Sequence, residues 1–216
     1  MKSFEQVLYT LNDSTFEDIA LRIFYQQSER NKVYRDFIRF LGITPGAINS
    51  IDKIPFLPIA FFKSHTVITG DLLHPADTVF TSSGTTGSAP SRHIVPQLSF
   101  YHSNAKKGFE FFFGSLSDYH ILALLPSYLE REGSSLISMV KYFMTESQSV
   151  EAGFYLNNDE QLLRKIKKLK GNHRKVLLLG VSFALLDFAE KFEVDLSHSI
   201  LGINDLSMKS SLKGFM

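Results

Sequence analysis

The chain has 216 residues, 44% of them hydrophobic, so it is large enough to bury a hydrophobic core of its own. Its formal net charge of +1 excludes the strongly basic surface that nucleic-acid-binding proteins have. It has no cysteine, which excludes disulfides, thiolate nucleophiles and cysteine-rich metal sites, and this composition predicts a cytoplasmic protein. The first residues lack the apolar core of a signal peptide, and no apolar run is long enough to span a bilayer.

Residues 1–77 are predicted to form a helical segment followed by a connector. Apolar residues at helix spacing predict two helices, with Phe16, Ile19, Ala20, Ile23 and Phe24 in the first and Val33, Phe37, Phe40 and Leu41 in the second. Gly42 is the expected C-terminal stop of the second helix. The next stretch contains Pro45, Pro55 and Pro58, too many for a regular element, so we expect an extended connector whose aromatic residues pack onto the body.

From Thr78 onward, short apolar runs alternate with amphipathic segments. The pattern predicts strands at 120–126, 149–156 and 175–180, and helices near 134–145, 159–170 and 183–193. Alternation at this spacing is typical of a parallel sheet covered by helices, and the unbroken apolar run VLLLG is typical of a strand buried on both faces. We therefore expect an α/β core over residues 78–200, with a mainly parallel sheet flanked by helices.

Phenylalanine is unusually frequent, with 20 Phe and 8 Tyr but no Trp. Two clusters contain many of these residues, Phe61-Phe62 and the run FEFFF at 109–113. Large aromatic side chains usually fill a core, and this is one interpretation of the clusters. The other is an apolar channel for an acyl or aryl substrate. Composition does not separate the two.

A loop of small residues begins after the apolar pair Val79-Phe80, since positions 81–88 are all Thr, Ser or Gly. We expect this loop to leave a strand of the parallel sheet, where ligands collect beyond the carboxyl ends of the strands. Gly84 and Gly87 allow tight turns and close approach of a ligand to backbone N–H groups, and the neighbouring hydroxyls are donors for phosphate or outer ligands for Mg²⁺. The loop is not a Walker A sequence, and an ordinary surface turn is the competing interpretation.

The sequence TSSGTTG at 81–87, followed by Pro90, resembles the signature of adenylate-forming enzymes, which activate carboxylic acids with ATP. Three further stretches, at 124–140, 151–158 and 176–190, are similar to the acyl-protein synthetase branch, the long-chain-fatty-acid luciferin-component ligases. The resemblance extends from about residue 5 to about residue 200. It implies a fold similar to the N-terminal part of the acyl-CoA synthetase-like enzymes.

The resemblance also implies the activity, namely ATP-dependent conversion of a long-chain fatty acid to an acyl-adenylate for transfer to a protein thiol. ATP and Mg²⁺ are the implied cofactors, and an acyl-accepting or acyl-CoA reductase-type protein is the implied partner. The residues matching the family's nucleotide site are Thr81, Ser82, Ser83, Gly84, Thr85, Thr86, Gly87, Gly180, Val181 and Ser182. Those matching its acid-binding site are Ser127, Tyr128, Glu130 and Arg131, and Thr85 and Arg131 are the implied catalytic residues.

The chain departs from the family pattern in two places. Ser91-Arg92 follows Pro90 where the family has a lysine, so a positive charge is kept with a different donor geometry. Residues 201–216 diverge from the family sequence, and the expectation is a chain that lacks the C-terminal lid and the acyl-accepting cysteine. Such a chain is expected to bind nucleotide weakly at most, to show no steady acyl-adenylate turnover and to form a homo-oligomer through its Phe-rich surface.

Two other functions remain open. The sequence GVSFA at 180–184 is one residue short of the G-x-S-x-G nucleophile elbow, which would make Ser182 the nucleophile of a serine hydrolase. His198 and either Asp195 or Asp205 would then be its partners. The second alternative is a non-catalytic nucleotide- or partner-binding fragment. No pair of histidines has metal-ligand spacing, so no metal-binding residue is predicted.

Overall fold

The computed structural model describes residues 10–70, 78–82, 89–125, 133–155 and 159–192, and the backbone of 199–203. The chain divides into two compact units, Met1–Phe100 and Tyr101–Met216. Within the described residues, no helix combines the length and apolar character needed to cross a membrane.

The first unit contains the two helices that the apolar spacing predicts, α1 (Phe16–Arg30) and α2 (Lys32–Phe40). Their buried side chains form a small core with one residue of the connector; its buried members are Phe24, Tyr34, Ile38 and Ile48. The Tyr34 hydroxyl donates to the backbone oxygen of Pro55 at 2.6 Å, so the connector is fastened to α2.

The connector consists of extended chain, two short 3₁₀ turns (Pro45–Ala47 and Ile51–Lys53) and the one-turn helix α3 (Phe61–Ser64). The expected packing of its aromatic residues is wrong for Phe56, which is 84% exposed.

The small-residue loop connects β1 (Thr78–Thr81) and β2 (Arg92–Val95), which pair antiparallel from Thr78↔Val95 to Thr81↔Arg92. The expectation that it leaves a strand of the parallel sheet is therefore wrong, because the described strands place β1 and β2 in a sheet of their own. The apolar pair Val79-Phe80 suits either kind of strand, and strand direction is set by the partner rather than by the sequence of one strand.

The second unit is built on a parallel sheet with the strand order β4-β3-β5-β6. Its strands are β3 (Tyr119–Leu124), β4 (Gly153–Tyr155), β5 (Lys175–Gly180) and β6 (Ser199–Ile203). All six residues of β3 are buried, as expected for a strand covered on both faces. The predicted α/β class with a parallel sheet is confirmed.

The helices of this unit are α4 (Leu98–Phe113), α5 (Ser135–Ser147), α6 (Asp159–Leu169) and α7 (Ser182–Lys191). The last three confirm the predicted helices. Two elements of this unit were not predicted, namely α4 and β6, and β6 extends into the segment 201–216 that was expected to be a divergent tail.

The run FEFFF lies at the end of α4 and divides between the core and the surface. Phe109 packs edge-on against Tyr119, with ring centroids 5.4 Å apart, and also contacts Phe143. Phe111 and Phe112 are 81% and 76% exposed. The core interpretation therefore holds for Phe109 and fails for Phe111 and Phe112. Consecutive residues of a helix project in different directions, so the whole run cannot face the core. The expected homo-oligomer stays a prediction.

Candidate functional site

The base of the small-residue loop is closed by hydrogen bonds that continue the β1–β2 ladder. The Ser82 N–H donates to the backbone oxygen of Ser91 at 3.0 Å, and the Ser91 N–H donates to the Ser82 Oγ at 2.9 Å. Ser82, a predicted nucleotide-binding residue, is therefore fixed at one end of the loop. The other predicted loop residues (Ser83, Gly84, Thr85, Thr86 and Gly87) lie outside the described part of the chain.

Thr81 and Arg92 face each other at the last pair of the antiparallel ladder. Directly opposed residues of an antiparallel pair project to the same side of the sheet, and both of these side chains are exposed. A hydroxyl and a guanidinium group are thus available side by side at the loop base. The pairing thus places Arg92 beside Thr81, one of the residues predicted to bind the nucleotide. This neighbouring placement is visible only in the strand register.

The second group of predicted residues follows strands of the parallel sheet. Leu124 pairs with Tyr155 on one side and with Gly180 on the other, so β3, β4 and β5 end at the same edge of the sheet. This is the carboxyl edge, where ligands bind in open parallel α/β sheets. Ser127, Tyr128, Glu130 and Arg131 come shortly after β3 and lie outside the described residues.

Gly180 ends β5 where α7 packs closely on the sheet. A Cβ built on Gly180 would lie 2.7 and 2.8 Å from Cγ and Cδ2 of Leu185, and 3.1 Å from the backbone oxygen of Leu124. The role expected for this glycine from the resemblance is different, namely approach of a nucleotide to the backbone. The close contact between α7 and the sheet is sufficient to require a glycine at position 180. The next residue, Val181, is buried, with 6% of its surface exposed.

Ser182 is the first residue of α7 at this carboxyl edge. Its hydroxyl oxygen is buried and has no hydrogen-bonding partner among the described residues. The first N–H groups of a helix have no partners within the helix and carry partial positive charge, so this position suits an anionic group. As a hydrolase nucleophile, Ser182 would need a base within hydrogen-bonding distance, and the residues proposed for that role (Asp195, His198 and Asp205) lie outside the described ranges.

His120 lies on β3 toward the opposite, amino edge of the sheet. It is buried, and its Nδ1 is 2.6 Å from the Ser149 hydroxyl. Burial lowers the pKa of His120 below its usual value, and the nearby charges of Arg174 and His173 act in the same direction. The run at 120–126 predicts a strand that includes His120, but its contact with Ser149 is tertiary and has no local sequence signature.

We expect this lowered pKa to make the protein less stable as the pH falls below the ordinary histidine value of about 6.5. In that range the unfolded chain binds a proton at His120 that the folded chain does not, so acid favours unfolding. Urea unfolding of wild type and His120→Gln at pH 7.5 and 5.5 measures the effect, and the wild type should lose more stability than the variant. His65→Gln, at an exposed position in the first unit, is the control and should behave as wild type; equal acid sensitivity of all three proteins would contradict the expectation.

No protein-family model, curated protein or solved structure matches this chain. In the parts of the chain that the structure describes, no group of three or more His, Asp or Glu side chains is arranged to hold a metal ion. The described residues thus offer two separate candidate regions, the base of the small-residue loop in the first unit and the carboxyl edge of the parallel sheet in the second.

Proposed function

We propose that the protein activates a long-chain fatty acid with ATP, forming an acyl-adenylate and pyrophosphate. The observation that carries the proposal is the closed base of the loop, where Thr81, Ser82 and Arg92 bring two hydroxyls and a guanidinium group to the start of a run of Ser, Thr and Gly. Donors of this kind suit phosphate oxygens. The resemblance of the loop to the signature of adenylate-forming enzymes adds the reaction class.

The proposed reaction joins two anions, so the residues around it must offset negative charge. A carboxylate oxygen attacks the α-phosphorus, and the bond to the β-phosphate oxygen breaks as pyrophosphate leaves. Hydrogen-bond donors fixed in advance stabilise the charge on the phosphate oxygens. Magnesium bound with ATP would supply further positive charge, and the hydroxyls at 81–83 and 85–86 are the groups available as its outer ligands.

The acid is assigned to the carboxyl edge of the parallel sheet. Ser127, Tyr128, Glu130 and Arg131 come after β3 in the sequence, and residues 180–182, which match the family's nucleotide site, begin at the end of the neighbouring strand β5. The N-terminus of α7, with the buried hydroxyl of Ser182, favours an anionic group there. The proposed thiol acceptor is not among these 216 residues, which include no cysteine.

ATP–pyrophosphate exchange with a panel of fatty acids tests the proposal directly. Isotope should pass from pyrophosphate into ATP only when a fatty acid is present, because the exchange requires reversible adenylate formation. Myristate, with octanoate as the short-chain comparison, defines the length preference. ATP binding without exchange on any acid would favour a non-catalytic nucleotide-binding protein, and labelling of Ser182 by a fluorophosphonate would favour the hydrolase.

A further inference from the structure

The amino edge of the parallel sheet carries a group of exposed apolar side chains. Helix α4 ends at this edge, and its last residues Phe111, Phe112 and Phe113 are 81%, 76% and 47% exposed. Val150, in the turn before β4, is 96% exposed. The Tyr119 hydroxyl donates to the backbone oxygen of Phe113 at 2.6 Å, so the end of α4 is fixed against the first residue of β3. An exposed apolar group held in place in this way is a candidate interaction surface.

The turn between α6 and β5 adds positive charge to the same edge. Residues 167–175 include no acidic residue and five basic ones, namely Lys167, Lys168, Lys170, Arg174 and Lys175. All of these except Arg174 are exposed. Lys175 pairs with Tyr119 in the sheet, and its Nζ lies 5.9 Å from the centre of the Tyr119 ring. Because Tyr119 also holds Phe113, the basic turn and the aromatic end of α4 are neighbours.

The acidic side chains at this edge leave the positive charge in excess. Two of them, Glu146 and Glu151, form ion pairs with lysines. Glu110 and Asp118 bring the acidic residues to four, against the five basic residues of the turn and two further lysines that pair with Glu146 and Glu151. Three of the five basic residues follow the last residue of α6, so attraction to the negative end of that helix does not account for them.

The exposed apolar residues 111–113 and 150, together with the turn 167–175, form a surface that we call the basic aromatic edge. We propose that this edge binds the surface of an anionic lipid bilayer, with the phenylalanine rings in the interfacial region and the basic turn against the headgroups. Peripheral proteins bind membranes through this combination of buried apolar area and attraction to anionic lipids. The inference goes beyond the proposed function, whose acid-binding residues are assigned to the opposite edge of the sheet.

The arrangement of the rings favours a bilayer over a protein partner. Phe111 and Phe112 have ring centroids 4.9 Å apart and planes at 87°, so the two rings do not form a flat surface. A fluid bilayer accepts rings in any orientation, whereas a folded protein would need a fitted pocket for each. A second copy of the chain is disfavoured, because a two-fold contact would place the edge against itself and oppose like charges.

Cosedimentation of the 216-residue chain with lipid vesicles tests the proposal. The protein should bind vesicles of phosphatidylcholine mixed with phosphatidylglycerol, and bind phosphatidylcholine alone at least about tenfold more weakly. Binding to the mixed vesicles should fall as the salt concentration rises from about 0.1 M to about 0.5 M, because salt screens the attraction.

A double substitution at the end of α4 measures the contribution of the rings. Phe111→Ser combined with Phe112→Ser should weaken binding to the mixed vesicles about tenfold or more, since the apolar area that enters the bilayer is lost. The matched control is Phe40→Ser combined with Phe56→Ser in the first unit, where the side chains are 95% and 84% exposed. The control should bind as wild type.

A second pair of substitutions measures the contribution of the charge. Lys170→Gln combined with Lys175→Gln should weaken binding about 10- to 30-fold and reduce its dependence on salt, because each lysine near an anionic surface contributes about a fivefold change in affinity. Lys53→Gln combined with Lys63→Gln makes the same chemical change at exposed positions of the first unit and should have no effect.

A fluorescent reporter shows which surface meets the lipid. The chain has no tryptophan, so Phe112→Trp places a single indole ring at the basic aromatic edge. Its emission should shift to shorter wavelength when the mixed vesicles are added, and brominated lipid in the vesicles should quench it. Phe40→Trp should show neither change.

Each alternative occupant gives a different result. Wild-type protein that does not bind the mixed vesicles, or binding that is equal in wild type and both edge variants, would overturn the proposal. A shift in Phe112→Trp that follows protein concentration without vesicles would assign the edge to a second copy, and a shift caused by poly-glutamate but not by vesicles would assign it to an acidic protein. Circular dichroism checks the folding of the serine variants, and Phe112→Trp keeps an aromatic ring and decides the question if they do not fold. None of these measurements uses ATP or a fatty acid, so their outcome is independent of the proposed function.

Discussion

Gly180→Ala should lower the free energy of unfolding of the α/β unit by about 2–3 kcal/mol, because a side chain at this position has no space. The added Cβ would come within 2.8 Å of two atoms of Leu185, which is buried in the core on α7. The backbone oxygen of Leu124 on the neighbouring strand is 3.1 Å away, so movement of Leu185 alone does not remove the strain. Urea unfolding followed by circular dichroism measures the change.

Two further variants connect this loss to the contact with α7. Gly153→Ala, on β4 of the same sheet, places its Cβ 3.9 Å from the nearest atom of Tyr155, so its stability should stay within about 0.5 kcal/mol of wild type. In a Leu185→Ala background, Gly180→Ala should cost less than it does alone, since the two closest atoms are gone. Equal stability of Gly180→Ala and wild type would show that α7 can move away from the sheet at little cost.

The elements predicted correctly from sequence are those whose burial pattern is regular. The runs at 120–126 and 175–180 are apolar apart from their first residues, His120 and Lys175, and α6 alternates buried Leu162, Ile166 and Leu169 with charged residues. Both patterns follow from packing on one or both faces of a sheet, so they are visible in the sequence.

The elements that were missed lack such a pattern. Helix α4 has aromatic residues on its exposed side as well as on its core side, since Phe111 and Phe112 are exposed, so its apolar residues show no clear helical stripe. Strand β6 is short and contains Ser199 and Gly202, which are uncommon in strands. The partnership of β1 with β2 depends on a register across the loop, and the sequence of either strand is compatible with several partners.

In the candidate site, too, some features are predictable from the sequence and others depend on tertiary contacts. The residue types of the loop, small and hydroxyl-bearing, predict a phosphate-binding chemistry from sequence. The placement of Arg92 beside Thr81 follows from strand pairing. This relation has no local sequence signature, because it joins the two residues through tertiary contacts.

Gly84→Val and Gly87→Val should each abolish detectable ATP binding while the protein remains folded, with a loss of about 100-fold or more in affinity. The proposed role of the loop requires phosphate oxygens to approach backbone N–H groups, and a branched side chain at either glycine occupies the space for that approach. It also excludes left-handed backbone conformations that glycine alone adopts readily. Isothermal titration with ATP–Mg²⁺ measures the affinity.

The control for these two variants is Gly46→Val, in the exposed 3₁₀ turn Pro45–Ala47, where a Cβ would meet no atom within 4 Å. It makes the same chemical change outside the loop, so ATP affinity should equal that of wild type. Circular dichroism and urea unfolding of all four proteins then separate loss of binding from loss of folding, and we expect their stabilities to agree within about 0.5 kcal/mol. ATP binding that survives in both folded loop variants would leave the loop as an ordinary surface turn, and the acyl-adenylate proposal would lose the observation on which it depends.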